Sequence, residues 1–193
     1  YISSHDLQEP LRQIANFSEM LAKDYKERLD ERAVRYFGYI TIGAKRMQAL
    51  INDVLSFSRV GHAEIPQTLA SFEDILKVTL KDLQTLIRES GAEISYDSLP
   101  SLKVNPNQMG LLLQNLIANS LKFRDEASPM IHLSASLEGG EWLISIRDNG
   151  IGFDSQYAEA IFKVFKRMHS QEKYPGTGIG LALARSLIEA DGG

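Results

Sequence analysis

The sequence predicts an α + α/β chain: a helical hairpin, expected to pair with a second copy as a dimeric four-helix bundle, followed by an α/β sandwich. Three observations predict it. Apolar residues recur at alternating steps of three and four over the first 60 residues, the spacing of a coiled-coil seam. Composition shifts after Arg59, where Gly61 and Pro66 mark a linker. Beyond the linker, helical patterns interleave with one period-two hairpin, the arrangement expected of helices laid on one face of a sheet. The expected division is residues 1–62 and residues 63–193.

In the first helix the series is Leu7, Leu11, Ile14, Ser18, Leu21 and Tyr25, and in the second Phe37, Ile40, Ala44, Met47, Ile51, Val54 and Ser58. The charged stretch from Lys26 to Glu31 suits a short helix–helix connection. Two amphipathic helices alone make a thin core, which is why a dimer is expected. After the linker, Phe72 to Glu89 reads as a helix stopped by Gly91. Glu93 to Ser98 alternates as a strand, and Asn107 to Phe123 reads as a helix entered through Asn105-Pro106. Met130 to Leu137 and Trp142 to Asp148 alternate on either side of Gly139-Gly140, a hairpin signal. A last helix follows Gly180. The chain starts at Tyr1 inside a helical pattern and stops at Gly192-Gly193, so a C-terminally truncated fragment is expected.

Composition narrows the function classes. Charged residues make up 24% of the chain, ordinary for a globular protein. There is no cysteine, which excludes disulfides and thiolate metal sites and fits a reducing, cytoplasmic setting. No apolar run approaches the length needed to cross a bilayer, so no membrane segment is expected in this stretch, whatever anchors the parent protein. The net charge of −4 gives no reason to expect nucleic acid. Residues 1–62 carry 9 Lys+Arg against 8 Asp+Glu, and residues 63–193 carry 12 against 17. An acidic domain that binds a polyphosphate needs a metal ion and well-placed local donors.

Five segments could carry chemistry. His5 stands one position past a seam residue in SSHDLQEPLR, which predicts partial exposure. On position alone it is an ordinary solvated side chain. Asp6 beside it, however, offers a carboxylate that could orient the imidazole and raise its nucleophilicity. Pro10 removes a backbone hydrogen bond and presses on the Asp6 carbonyl, a bending point or simply a tolerated kink. Asn115 and Asn119 stand four apart on one helix face, with Lys122 on a neighbouring stripe. That set could hold a hydrated Mg²⁺ and a polyphosphate, or be no more than a polar face. Asp148-Asn149-Gly150-Ile151-Gly152 leaves a strand, and Gly176-Thr177-Gly178-Ile179-Gly180 enters a helix. Glycines there permit close backbone approach, and a helix N-terminus offers free N–H groups to phosphate. Neither cluster has P-loop or dinucleotide-fold spacing. Asp148 could accept a hydrogen bond from an exocyclic amine such as that of adenine. Between the clusters, Phe153 to Tyr174 reads as a lid carrying Lys166 and Arg167, or as a plain surface loop.

In chain order the five segments resemble the histidine, asparagine, first glycine, phenylalanine and second glycine boxes of the sensor histidine kinases of two-component signalling. HDLQEPL with the later YPGTGIGLA is most similar to the phytochrome-type branch. The resemblance implies a dimeric phosphotransfer hairpin followed by the Bergerat (GHKL) ATP-binding sandwich, with ATP and Mg²⁺ as ligands. It implies His5 as phospho-acceptor and Asp6 as its activating carboxylate. Asn119 and Asn115 would serve Mg²⁺, Lys122 and Arg167 would meet phosphates, and Asp148 the adenine amine. Gly150 and Gly152 would shape the base pocket, while Gly176, Thr177, Gly178, Gly180 and Leu181 would line the phosphate side. The partner implied is a response-regulator receiver domain whose aspartate accepts the phosphoryl group. Glu9 stands where relatives with strong phosphatase activity carry Thr or Asn, which argues against efficient regulator dephosphorylation. Two other readings stand beside this one: a signalling module that binds nucleotide or a partner without transfer, and an ATPase of the same fold. The second lacks the glutamate it would need, since LLLQNLIANS offers only Gln114 and Asn115.

Overall fold

The computed structural model describes residues 4–59, 66–168, 173–174 and 176–191, with the backbone alone at 4, 5, 59 and 191. The chain divides into two compact units, Tyr1–Arg59 and Val60–Gly193.

The first unit is two helices, α1 (Ser4–Asp24) and α2 (Glu31–Arg59), joined at a turn where Asp30 accepts through its carboxylate from the Ala33 N–H at 2.7 Å. Pro10 sits inside α1, and the helix runs on through it. The expected seam splits in two. Leu11, Ala15 and Ser18 are buried against α2, where Ala44 is buried and Phe37 and Ile51 half-buried. The alternate members Leu7, Ile14, Leu21, Tyr25, Ile40, Met47 and Val54 are instead exposed. One hairpin has only one partner helix per helix, so it can bury one side of a wide apolar face and leaves the other in water.

The second unit begins with strand β1 (Thr68–Ser71), which leads directly into helix α3 (Phe72–Asp82). Ser71 caps α3, its hydroxyl accepting from the Asp74 N–H at 3.1 Å. The expected single helix to Glu89 is broken. Buried Leu83 leaves helical geometry at φ −87°, ψ 2°, and a short helix α4 (Gln84–Ser90) follows, closed by Gly91 in the left-handed region. No glycine or proline marks that break. Strands β2 (Glu93–Tyr96) and β3 (Ser101–Val104) come next, then helix α5 (Pro106–Lys122). Its start is set by the Asn105 side chain, which accepts from the Gln108 N–H at 3.0 Å, and by Pro106 in the first turn.

Strands β4 (Met130–Glu138) and β5 (Glu141–Asp148) form the expected hairpin. Gly139 and Gly140 both take positive φ in its two-residue turn, which L side chains rarely adopt. The main sheet has the order β2-β4-β5, with β2 parallel to β4, a pairing the alternation pattern could not show. A separate two-stranded sheet pairs β1 with β3. On β4, Ile131 and Leu133 are buried while Met130 and His132 are exposed, so one face of the sheet is covered and the other is not. The core on the covered side comes from Leu76, Leu113, Ile117 and, on the last helix α6 (Gly180–Asp191), Leu187.

These burials predict an asymmetry in stability. Ile117→Ala, at a fully buried site, is expected to cost about 3 kcal/mol. Leu69→Ala, at a residue 78% exposed, is expected to change stability by no more than about 0.5 kcal/mol. Urea unfolding followed by the fluorescence of Trp142, the chain's single tryptophan, measures both. Equal costs would contradict this packing.

Candidate functional site

Within the second unit, the C-terminal end of α5 is the point on which the sequence-separated segments converge. Two hydrogen bonds dock the turn leaving β5 there, and a third closes the turn on itself. Asp148 Oδ2 accepts from the buried Ser120 hydroxyl at 2.8 Å, and its Oδ1 accepts from the Gly150 N–H at 2.9 Å. The Phe123 carbonyl, at the C-cap of α5, accepts from the Ile151 N–H at 3.0 Å. Asn149 pins the same turn to the start of β4, accepting from the Met130 N–H at 2.8 Å and donating to the Ser128 carbonyl at 3.1 Å. Gly150 has no room for a side chain: a Cβ would lie 2.6 Å from the Phe123 carbonyl oxygen and 2.8 Å from Asp148 Oδ1. Gly152 takes φ +61° with open space where its Cβ would stand.

The polar face of α5 is presented to the other glycine segment. Asn115 donates to the Leu111 carbonyl at 2.8 Å, which leaves its Oδ1 turned towards Gly180 at the start of α6. A Cβ at Gly180 would lie 2.9 Å from that oxygen and 3.8 Å from Asn119 Nδ2. The Asn119 side-chain amide has no hydrogen-bond partner among the described residues. Lys122 Nζ lies 4.2 Å from the centre of the Phe123 ring and would be 2.9 Å from a Cβ at Gly176. The structure thus brings Asn115, Asn119 and Lys122 against Gly176 and Gly180. Thr177 Oγ1 accepts from the Ile179 N–H at 3.4 Å, and half-buried Leu181 stands in the first turn of α6. The Asn115 oxygen and the Asn119 side-chain amide beside a glycine-lined helix N-terminus are a set that suits a hydrated Mg²⁺ carrying phosphates, because Mg²⁺ keeps most of its waters and needs few protein ligands.

Arg167 is placed beside Lys122, but its guanidinium donates to the Gly176 carbonyl at 3.0 Å and to the Tyr174 carbonyl at 2.6 Å. It braces the glycine loop. The Phe165 N–H donates to the Gly178 carbonyl at 3.0 Å, tying the same two stretches together, and Phe165 itself takes φ +64°. Before that, the segment from Phe153 is short 3-10 turns, Ser155–Tyr157 and Ala160–Phe162, joined to α6 where Arg185 meets Glu159 at 3.2 Å.

His5 and Asp6 belong to the other unit. The His5 side chain lies outside the described residues, and Asp6 is exposed on α1. Residue type and spacing give no signal of their own for Ser120 or Tyr174, and Asn149 enters only as a member of the first glycine cluster. Ser120 adjoins Asn119, and Asn149 completes the DNG turn, so both were adjacent to recognised signals.

Burial lowers the Lys122 pKa below the usual lysine value, and the nearby Arg167 charge adds to this. Its unfolded-state pKa is therefore the higher one. Between the two values the unfolded chain binds more protons, so stability rises with pH across that window. Lys122→Met removes the cost of holding the charge. It is expected to be at least as stable as the parent at neutral pH, with the difference shrinking as pH rises through the lowered lysine range; thermal melts across pH measure it. Gly150→Ala, by contrast, is expected to lose about 1–3 kcal/mol through overpacking against the Phe123 carbonyl, read by urea unfolding.

Residues 2–63 match the His Kinase A (phospho-acceptor) domain. Residues 104–193 match the family described as histidine kinase-, DNA gyrase B-, and HSP90-like ATPase. Cyanobacterial phytochrome A of Nostoc sp. strain PCC 7120 is 44% identical over 193 residues, all of this chain and 25% of that protein. The phytochrome-like protein Cph1 of Synechocystis sp. strain PCC 6803 is 39% identical over 193 residues, all of this chain and 26% of that protein. The chain therefore spans about a quarter of the length of these relatives. Among solved structures, full-length ShkA in complex with AMPPNP superimposes with a TM-score of 0.68 at 27% identity, covering 97% of this chain and 39% of that one. No described helix is long and apolar enough to cross a membrane. With a phospho-acceptor hairpin first and an ATPase-type sandwich second, the chain belongs to the sensor histidine kinases and stands with their phytochrome-like members.

Proposed function

We propose that this chain is the catalytic core of an ATP-dependent protein-histidine autokinase. It would phosphorylate His5 and pass the phosphoryl group to an aspartate of a response regulator. The observation that carries the reading is the convergence of Asn115, Asn119, Lys122, Asp148 and both glycine segments around one end of α5. The division 1–62 and 63–193 then separates acceptor from nucleotide site.

In this reading Asp148, held by Ser120 and Gly150, accepts from the exocyclic amine of adenine. Gly150 and Gly152 let the base approach the backbone. The absence of side chains at Gly176, Gly178 and Gly180 leaves room for phosphates over Lys122, and the N-terminus of α6 faces them with Thr177 and Leu181. Arg167 contributes positive charge beside Lys122 and holds the loop. Asn119 and Asn115 are the residues that would hold Mg²⁺, which when bound neutralises phosphate charge. A nitrogen of His5 attacks the γ-phosphorus in line, the P–N bond forms as the bond to ADP breaks, and Asp6 orients the ring. Catalysis of this kind rests on positioning and charge rather than on covalent help from the protein.

The exposed stripe of Leu7, Ile14, Leu21, Ile40, Met47 and Val54 is the surface proposed to meet a second copy as a four-helix bundle. A histidine kinase of the same fold, ThkA, has been solved in complex with response regulator protein TrrA. A receiver domain is the corresponding partner proposed here, with Glu9 on α1 making this chain a poor phosphatase. A cytoplasmic setting follows from the proposed use of ATP.

Incubation with γ-labelled ATP and Mg²⁺, beside a His5→Gln control, tests the proposal. Acid-labile, alkali-stable label that disappears in the control is the expected outcome. Nucleotide binding without label would refute autokinase activity for this chain and favour a binding module. Absence of binding would refute the nucleotide site itself.

A further inference from the structure

Between the two glycine segments, Tyr174 differs from the other aromatic residues. Phe153, Tyr157 and Phe165 are exposed and Phe162 is half-buried, whereas Tyr174 is 6% exposed. Its ring packs on Phe123 with centroids 5.2 Å apart, tilted by 44°. Its hydroxyl donates to the Arg124 carbonyl at 3.1 Å, one residue beyond the cap of α5. An aromatic ring and a directed O–H together fix both the position and the rotation of the residue.

Tyr174 is also where Arg167 braces the loop. Its carbonyl and that of Gly176 both accept from Arg167. Two residues on from Tyr174, Gly176 lies so close over Lys122 that a Cβ would come within 2.9 Å of Nζ. The height of the glycine loop above the polar face of α5 is therefore set at Tyr174, between the end of α5 and the Arg167 fork.

We propose that Tyr174 is a positioning residue for the nucleotide: it pins the entry of the Gly176–Gly178 loop to the C-terminal end of α5 and so holds that loop closed over Lys122 and the phosphates. The inference rests on the ATP-site reading given above. It assigns Tyr174 no contact with the reacting atoms. Removing the pin should speed nucleotide loss while leaving phosphotransfer at saturating ATP nearly intact.

The test measures affinity and dissociation rate for a non-hydrolysable ATP analogue with Mg²⁺, together with KM and kcat for autophosphorylation, on the full chain. Tyr174→Phe keeps the ring contact and loses the hydroxyl; it is expected to weaken binding about three- to tenfold, the worth of one hydrogen bond, chiefly through faster dissociation. Tyr174→Ala loses both contacts and is expected to weaken binding further, with kcat within about twofold if positioning is uniform in ground and transition states. Tyr157→Ala, an exposed aromatic on the same stretch, serves as a control expected to bind as the parent does. If the parent chain itself does not bind, the ATP-site reading fails. If the parent binds and Tyr174→Phe matches it in affinity and dissociation rate, the inference is overturned. It is also overturned if the loss of affinity only tracks a fall in melting temperature. Should Tyr174→Ala not fold, Tyr174→Phe alone decides.

Discussion

The second unit depends on one carboxylate being shared. Asp148 ends β5, accepts from the Ser120 hydroxyl on α5 with one oxygen and from the Gly150 N–H with the other. Both bonds use a charged acceptor, which strengthens them and fixes the rotamer. Because Ser120 lies on the helix and Gly150 on the turn, the same group joins the sheet edge to the helix layer and orients itself. The Phe123 carbonyl, accepting from Ile151, completes the joint. A flexible aspartate would need ordering on each binding event; this one is ordered before any ligand arrives, which lowers the entropic cost of recognition.

From that joint the rest of the site follows by short reach. Asn115, Asn119 and Lys122 are stepped along α5 towards the same end, and α6 begins with a glycine because a larger residue would strike Asn115. Lys122 is held half-buried beside Arg167 at a cost that its lowered pKa registers. In the proposed reading this is the cost of a preformed phosphate site: an anionic ligand would compensate the buried charge and its Arg167 neighbour. The unit as a whole is acidic, so its affinity for a polyphosphate has to come from this local concentration of donors rather than from net charge.

Much of this was legible in the sequence, for identifiable reasons. Period-two alternation around Gly139-Gly140 marked the β4–β5 hairpin, and Asn105-Pro106 marked the start of α5, because turn and cap chemistry is local. The parallel pairing of β2 with β4 is non-local and leaves no such mark. Nor did anything signal the break at Leu83, where buried packing overrides helix propensity without a glycine or proline. Spacing presents the helical seam as one surface, yet Leu11 and Ser18 are buried while Leu7 and Ile14 are exposed, since spacing alone does not assign which partner covers each stripe. At the site, residue types with a known chemistry stood out. Ser120, Asn149 and Tyr174 did not, because they act by hydrogen-bonding the Asp148 carboxylate or nearby backbone, and ordinary residues do that work. Arg167, expected at phosphate, also donates to the carbonyls of Tyr174 and Gly176, a bracing contact that residue type and spacing do not signal.

The central claim is that Asp148 is preset to accept from the exocyclic amine of adenine. A double-mutant cycle tests it directly, comparing ATP with purine riboside triphosphate, which lacks that amine, on the parent chain and on Asp148→Ala. The account predicts that losing the amine weakens binding to the parent about tenfold or more, and that Asp148→Ala binds both nucleotides alike. Equal binding of the two nucleotides by the parent, or undiminished preference for ATP in Asp148→Ala, would contradict it.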